Sequence, residues 1–233
     1  RRYKAGTPQG IFSVCSANEF VIEALLEFGK KHGEVVLVEA TCNQVNQFGG
    51  YTGMAPADFV KFVDGIGERV GFPKEKVLLG GDHLGPNPWK GEPKEEAMAK
   101  AEALVREYVR AGFTKIHLDA SMHLGGDGSR SVPLDPTLIA ERTARLCQAA
   151  EEGYRERLAS VPHAQRPVYI IGTEVPVPGG SMSENEGMNV TAPEDFHATV
   201  RLTREAFSRH GLEAAWPQVV GVVVQPGVEF GDD

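Results

Sequence analysis

The chain has 233 residues, with 24 Lys and Arg against 32 Asp and Glu, a formal net charge of -8, and 41% hydrophobic and 24% charged residues. That composition is ordinary for a soluble domain. The acidic balance argues against a nucleic-acid binder, which would carry a basic face. No apolar run approaches the roughly 18 residues of a membrane span, and residues 1–10 lack the apolar core of a signal peptide. They also lack an initiator Met, so the true start is expected to lie upstream. Cys15, Cys42 and Cys147 are odd in number and far apart, which reads as reduced thiols in a cytoplasmic protein rather than a disulfide framework.

In chain order, six apolar runs predict strands: Gly10–Cys15, Val35–Ala40, Val77–Asp82, Lys115–Asp119, Val168–Thr173 and Val219–Val224. Their near-continuous Val, Ile and Leu content suits parallel strands buried on both faces. Helical stretches lie between them. Phe20, Val21, Ala24, Leu25 and Phe28 form one expected apolar stripe, and Ala97, Ala101, Leu104, Val105 and Tyr108 another. Ser16 with Glu19, and Thr191 with Glu194, have capping-box spacing. Asp135 before Pro136 reads as a cap followed by proline in the first turn. Gly33, Gly112 and Gly211 are placed to end helices.

This alternation predicts one α/β domain over residues 1–233 built on a parallel sheet. Strands recur roughly every 40 residues, so a closed eightfold barrel would need over roughly 300 residues. The chain therefore reads either as an open doubly wound sheet or as a TIM (β/α)8 barrel of which about six units are present, incomplete at the C-terminus. The barrel is favoured by what gathers at the strand ends.

Ser13 and Cys15 close the first strand. Glu39 ends the second, which runs into Asn43, Gln44 and Gln47. Asp82-His83 follows the third, His117, Asp119 and Ser121 the fourth, Thr173-Glu174 the fifth, and Gln225 the sixth. Carboxyl ends of parallel strands are where α/β proteins build their sites. The expected mouth has Asp82, Glu174 and Asp119 as acid, base or orienting carboxylates. Ser13, Glu39, Asn43, Gln47, Ser121 and Gln225 are expected to bind substrate. His83, with Glu174, is the candidate ligand of a divalent metal such as zinc. No HxxH or HExxH spacing supports the metal. His32, His123, His163, His197 and His210 receive no role. Gly-rich turns follow strands two to five, Gly179-Gly180 among them, but no GxxxxGK[ST] loop and no strand-linked GxGxxG occurs.

Six stretches of the chain also carry a resemblance. They are Ser13 to Ala17 (SVCSA), Glu39 to Met54 (EATCNQVNQFGGYTGM), Gly80 to Asn87 (GGDHLGPN), Lys115 to Met122 (KIHLDASM), Gly172 to Gly180 (GTEVPVPGG) and Val224 to Phe230 (VQPGVEF). In that order they resemble the Z-subunit family of D-tagatose-1,6-bisphosphate aldolase, over the first half or slightly more of the family's length. The resemblance implies a TIM barrel related to class II aldolases, in a subunit without aldolase activity of its own. Such a subunit supports and stabilises a catalytic Y subunit in galactitol or N-acetylgalactosamine breakdown. It also implies two alternatives: a metal-dependent C4 epimerase acting on fructose 6-phosphate and tagatose 6-phosphate, and the kinase label some members carry. A sugar phosphate, the aldolase Y subunit and a further copy of the chain are the expected partners. Class II aldolases have an Asp-His pair after strand three and a Glu near strand five, similar to Asp82-His83 and Glu174. Their further zinc histidines follow strands six and seven, and the segment Gln225-Pro226-Gly227-Val228-Glu229 holds no His.

Overall fold

The structure, a computed structural model, describes residues 10–129, 132–172 and 190–225. Eleven elements alternate along these residues: β1 (Ser13–Cys15), α1 (Glu19–His32), β2 (Val36–Thr41), α2 (Pro56–Val70), β3 (Val77–Leu84), α3 (Lys94–Ala111), β4 (Lys115–Leu118), α4 (Pro136–Ser160), β5 (Val168–Gly172), α5 (Pro193–Arg209) and β6 (Val219–Val223). The six strands form one sheet in the order β1-β2-β3-β4-β5-β6, and every neighbouring pair is parallel. A doubly wound sheet reverses its strand order at a switch point. Here the order never reverses, so the arrangement is the α/β fold of a partial (β/α)8 barrel.

Burial shows which face the helices cover. Val36, Val38, Ala40, Ile116, Leu118, Tyr169 and Ile171 alternate along their strands and are all fully buried. All but Ile171 join one core with Ile22 and Leu26 of α1, Phe59, Val63 and Ile66 of α2, Ala101, Leu104 and Tyr108 of α3, and Ala144 and Cys147 of α4. Each large side chain buried there contributes roughly 1.5–3 kcal/mol of transfer free energy. The other strand face carries Glu39, Asp82, Lys115 and His117. Alternation at period two thus assigns one face to the core and the other to chemistry.

The helix boundaries hold in part. Asp135 caps α4, accepting from the Thr137 N–H at 2.8 Å, with Pro136 in the first turn. Gly33 and Gly112 end α1 and α3 in the left-handed conformation. The α3 stripe is buried as expected. Four expectations are corrected. Asn18, not Ser16, caps α1, its Oδ1 accepting from Phe20 and Val21 N–H at 3.0 and 3.3 Å. The core face of α1 is Ile22, Leu25, Leu26 and Gly29, while Phe20 is 79% exposed, because the helix turns its Ile-Leu row to the sheet. Thr191 does not cap α5, whose cap position is Ala192. Instead the Thr191 N–H donates to the Gln225 carbonyl, and its hydroxyl accepts from the Gln225 N–H, both at 2.8 Å. Finally, His210 rather than Gly211 occupies the α5 cap, with Gly211 left-handed one residue later.

Candidate metal and substrate site

Parallel pairing stacks the functional face in rows. Cys15 pairs with Glu39, Glu39 with Gly80, and Gly80 with Lys115. The next row, two residues further along, holds Thr41 opposite Asp82, and His117 opposite Ile170. Directly paired residues of a parallel sheet project to the same side, so the two rows form a floor and a layer above it.

The floor is ionic. The Lys115 ammonium lies 2.6 Å from Glu39 Oε1 and 3.4 Å from Asp82 Oδ1. Glu39 is 3% exposed. To reach Lys115 its carboxylate crosses strand β3 at Gly80, where a Cβ would collide with the Glu39 side chain.

The upper layer is a cluster of imidazoles and carboxylates. Strand β3 is irregular between Gly81 and Leu84, and His83 is the non-glycine residue there with positive φ, at 48°. A bulge of this kind re-aims a side chain, and positive φ in a bulky residue is strain that the surroundings must hold. His83 Nδ1 lies 3.1 Å from Asp119 Oδ2, and its Nε2 lies 3.9 Å from Asp82 Oδ2. The His83 backbone nitrogen lies 3.3 Å from His117 Nδ1. The Ser121 hydroxyl and N–H donate to Asp119 Oδ1 at 2.6 and 3.0 Å. Burial raises the Asp119 pKa, but the bonds from His83 and Ser121 outweigh it and hold the carboxyl below its ordinary value. Burial likewise raises Asp82. There the hydrogen bond from His117, then the charges of Lys115 and the histidines, win and keep the carboxyl well below the usual carboxylate range. Both aspartates are therefore anionic at neutral pH. The Cys15 thiol is pushed up to about 12 by burial and then by Asp82 and Glu39, so it is not a thiolate nucleophile.

Asp82, His83 and His117 each offer a ligand atom, all within 4.8 Å of one another, and can hold a metal ion. The donor chemistry fits a cation. His117 Nδ1 lies 3.3 Å from both the His83 backbone nitrogen and Asp82 Oδ1, while Nε2 lies 3.5 Å from the Gly172 carbonyl oxygen. Two imidazoles with a carboxylate suit a divalent transition ion, and the Asp119–His83 contact is the orienting second layer such ligands use.

Of the residues expected at the mouth, Glu39, Asp82, His83, Asp119 and Ser121 come together. Ser13 lies one row deeper, opposite Leu37 and exposed. Asn43 is exposed in the loop after β2, where its carbonyl accepts from the Tyr51 N–H. Gln47 turns outward, its amide donating to the Lys100 carbonyl of α3 at 2.9 Å. Gln225 is buried, its backbone paired with Thr191. Thr173, Glu174 and Gly179-Gly180 fall outside the described residues. Lys115 and His117 received no role from the sequence. Their alternation with Asp119 in Lys115-Ile116-His117-Leu118-Asp119 was the available signal, since period two puts all three on one face.

A one-directional α/β barrel sheet with an Asp–His–His set at its strand ends defines a barrel protein with a metal-capable site. Comparison with known proteins narrows that class. The D-tagatose-1,6-bisphosphate aldolase subunit GatZ/KbaZ-like family matches residues 1–233, and the chain belongs to that family. It is 55% identical over 229 residues to the D-tagatose-1,6-bisphosphate aldolase subunit GatZ of Klebsiella pneumoniae, covering 98% of this chain and 52% of the relative. It is 53% identical over 229 residues to the same subunit of Escherichia coli O139:H28, covering 98% and 53%. The crystal structure of a probable tagatose 6 phosphate kinase from Sinorhizobium meliloti 1021 is similar at a TM-score of 0.82 and 50% identity, over 97% of this chain and 51% of that one. The chain thus spans about half the length of the relatives it matches. Among the described residues no helix is long and apolar enough to cross a membrane.

Proposed function

We propose that this protein serves carbohydrate catabolism in the D-tagatose 6-phosphate and tagatose-1,6-bisphosphate pathway. Its role is that of a cytoplasmic Z subunit that stabilises a class II tagatose-bisphosphate aldolase and supports its activity without cleaving the sugar itself. The observation that carries this reading is the 53–55% identity to GatZ subunits across 98% of the chain. The test is reconstitution. Purified protein is mixed with a catalytic Y-type aldolase, and cleavage of tagatose 1,6-bisphosphate is followed together with the half-life of activity. A several-fold rise in either, with no cleavage by this protein alone, supports the reading; no change in both overturns it.

A specific observation favours a second reading, a metal-dependent C4 epimerase interconverting fructose 6-phosphate and tagatose 6-phosphate. A pure scaffold has no use for Asp82, His83 and His117 gathered within 4.8 Å at the strand ends. Bound there, a divalent ion such as Zn2+ would supply Lewis-acid polarisation of sugar oxygens. The residues of the chain do the rest of the positioning. Asp119 fixes the ring of His83, Ser121 fixes Asp119, and the Glu39–Lys115 floor lies beneath Asp82. Formation of tagatose 6-phosphate from fructose 6-phosphate by this protein alone, lost on chelation, would select this reading. Metal-replete protein without turnover would exclude it.

A further inference from the structure

The family relationship and the Asp–His–His set leave the ion pair beneath them without a role. Lys115 is a charged residue at the base of a strand face, 21% exposed, and Glu39 is 4% exposed at the side chain. Holding both there is costly unless their geometry serves something, since ion pairs of this kind contribute little to stability over apolar residues of the same volume. Their arrangement is built for contact with Asp82. The Glu39 carboxylate is fixed over Gly80, where any larger residue would displace it. It lies 2.6 Å from the Lys115 ammonium, which in turn lies 3.4 Å from Asp82 Oδ1. That same oxygen lies 3.3 Å from His117 Nδ1. Asp82 is thereby held from below by a fixed ammonium while its carboxylate faces the imidazoles.

We propose that Glu39 and Lys115 are positioning residues for Asp82: the pair, seated over Gly80, sets the direction of that carboxylate and so governs how tightly, and in what geometry, the Asp82–His83–His117 set holds a divalent cation. The inference rests on the cation reading of the site. It reassigns Glu39 from substrate contact to support, and it gives Lys115 a function its sequence position did not suggest. Outer-layer partners of metal ligands act in this way elsewhere, and losing one typically weakens metal affinity about 10–100-fold.

The Lys115 ammonium also repels a cation bound above it. Replacing Lys115 alone would remove that repulsion and leave Glu39 buried without its partner. The double variant Glu39→Gln with Lys115→Gln removes one charge of each sign, so the net charge under the site is unchanged and the remaining effect is positional. The probe is Co2+ alone, titrated into the intact apo-protein, with affinity read by calorimetry and coordination geometry by visible absorption. Circular dichroism and the thermal midpoint of the metal-free protein report folding separately. The expected result is a folded double variant with at least about 10-fold weaker Co2+ binding and a shifted absorption band.

Co2+ affinity and spectrum equal to those of the unmodified protein would overturn the positioning role while leaving the cation site standing. Failure of the unmodified protein to bind Co2+ would remove the cation reading and this inference with it. Should the double variant not fold, Lys115→Arg carries the test. It keeps the charge and a partner for Glu39 but moves the charged nitrogen relative to Asp82, so a shifted band is expected and an unchanged one overturns the proposal.

Discussion

His83 Nδ1 and Asp119 Oδ2 lie 3.1 Å apart across the strand pair β3–β4, and this contact determines which imidazole nitrogen of His83 is left to face Asp82. It joins a residue with positive φ to a carboxylate already bound by Ser121. The strain at one and the hydrogen bonding at the other hold the ring in a single orientation.

Asp119→Asn removes the charge that orients the His83 ring while keeping its shape. Metal affinity is expected to fall about 10–100-fold, with Ser121 still bonded to the amide oxygen. Zn2+ titration by competition with a chromophoric chelator checks this. Unchanged affinity would mean that Asp119 does not orient a ligand.

His83→Asn separates ligand loss from backbone strain. Asn tolerates the left-handed region better than most residues, so the fold is expected to survive with stability changed by no more than about 1 kcal/mol. Bound Zn2+, read by atomic absorption after gel filtration, is expected to disappear. Stoichiometric metal in this variant would place the ion elsewhere.

Gly85→Ala probes the closest approach at the site. A Cβ at Gly85 would land on the Asp119 carbonyl oxygen, backbone that cannot swing aside as a side chain can. A loss of roughly 3 kcal/mol or more is expected, read as a lowered urea midpoint. A midpoint within experimental error of the unmodified protein would show that β3 and β4 separate freely there.

Asp127 sets an acid limb of stability. Burial raises its pKa, but the hydrogen bond from Arg142 at 2.7 Å and the Leu124 N–H outweigh it, so the folded carboxyl titrates below its ordinary value. A depressed folded pKa contributes stability that is fully present above the unfolded value of about 3.9 and is lost as pH falls through the folded one. Asp127→Asn is expected to be about 2 kcal/mol less stable at pH 7, the gap narrowing below about pH 4. A gap that stays constant from pH 7 to pH 2.5 in urea titrations would refute the assignment.

Much of this molecule is legible from local pattern. Near-continuous Val and Ile runs predict buried parallel strands because β-branched side chains fill both faces of a pleated sheet, and all six runs became strands within a few residues of their expected ends. Asp82, His83 and Asp119 stand out because titratable groups at strand ends are unusual next to such apolar runs. The motifs also carried the family, which the comparisons confirm.

Three things were decided only by tertiary packing. Which residues of α1 face inward depends on the sheet it meets: Ile22 and Leu26 are buried, and the aromatic Phe20 is left exposed. Whether Gln47 reaches the mouth depends on the loop path, and the path takes it to α3. The metal-capable set needed strand register: Asp82 and His117 are 35 residues apart in the chain, and only the pairing of β3 with β4, with its irregularity at His83, brings their side chains together. Sequence states which groups exist and the face each strand assigns them; distance between strands comes from register, which hydrogen bonding across the sheet sets.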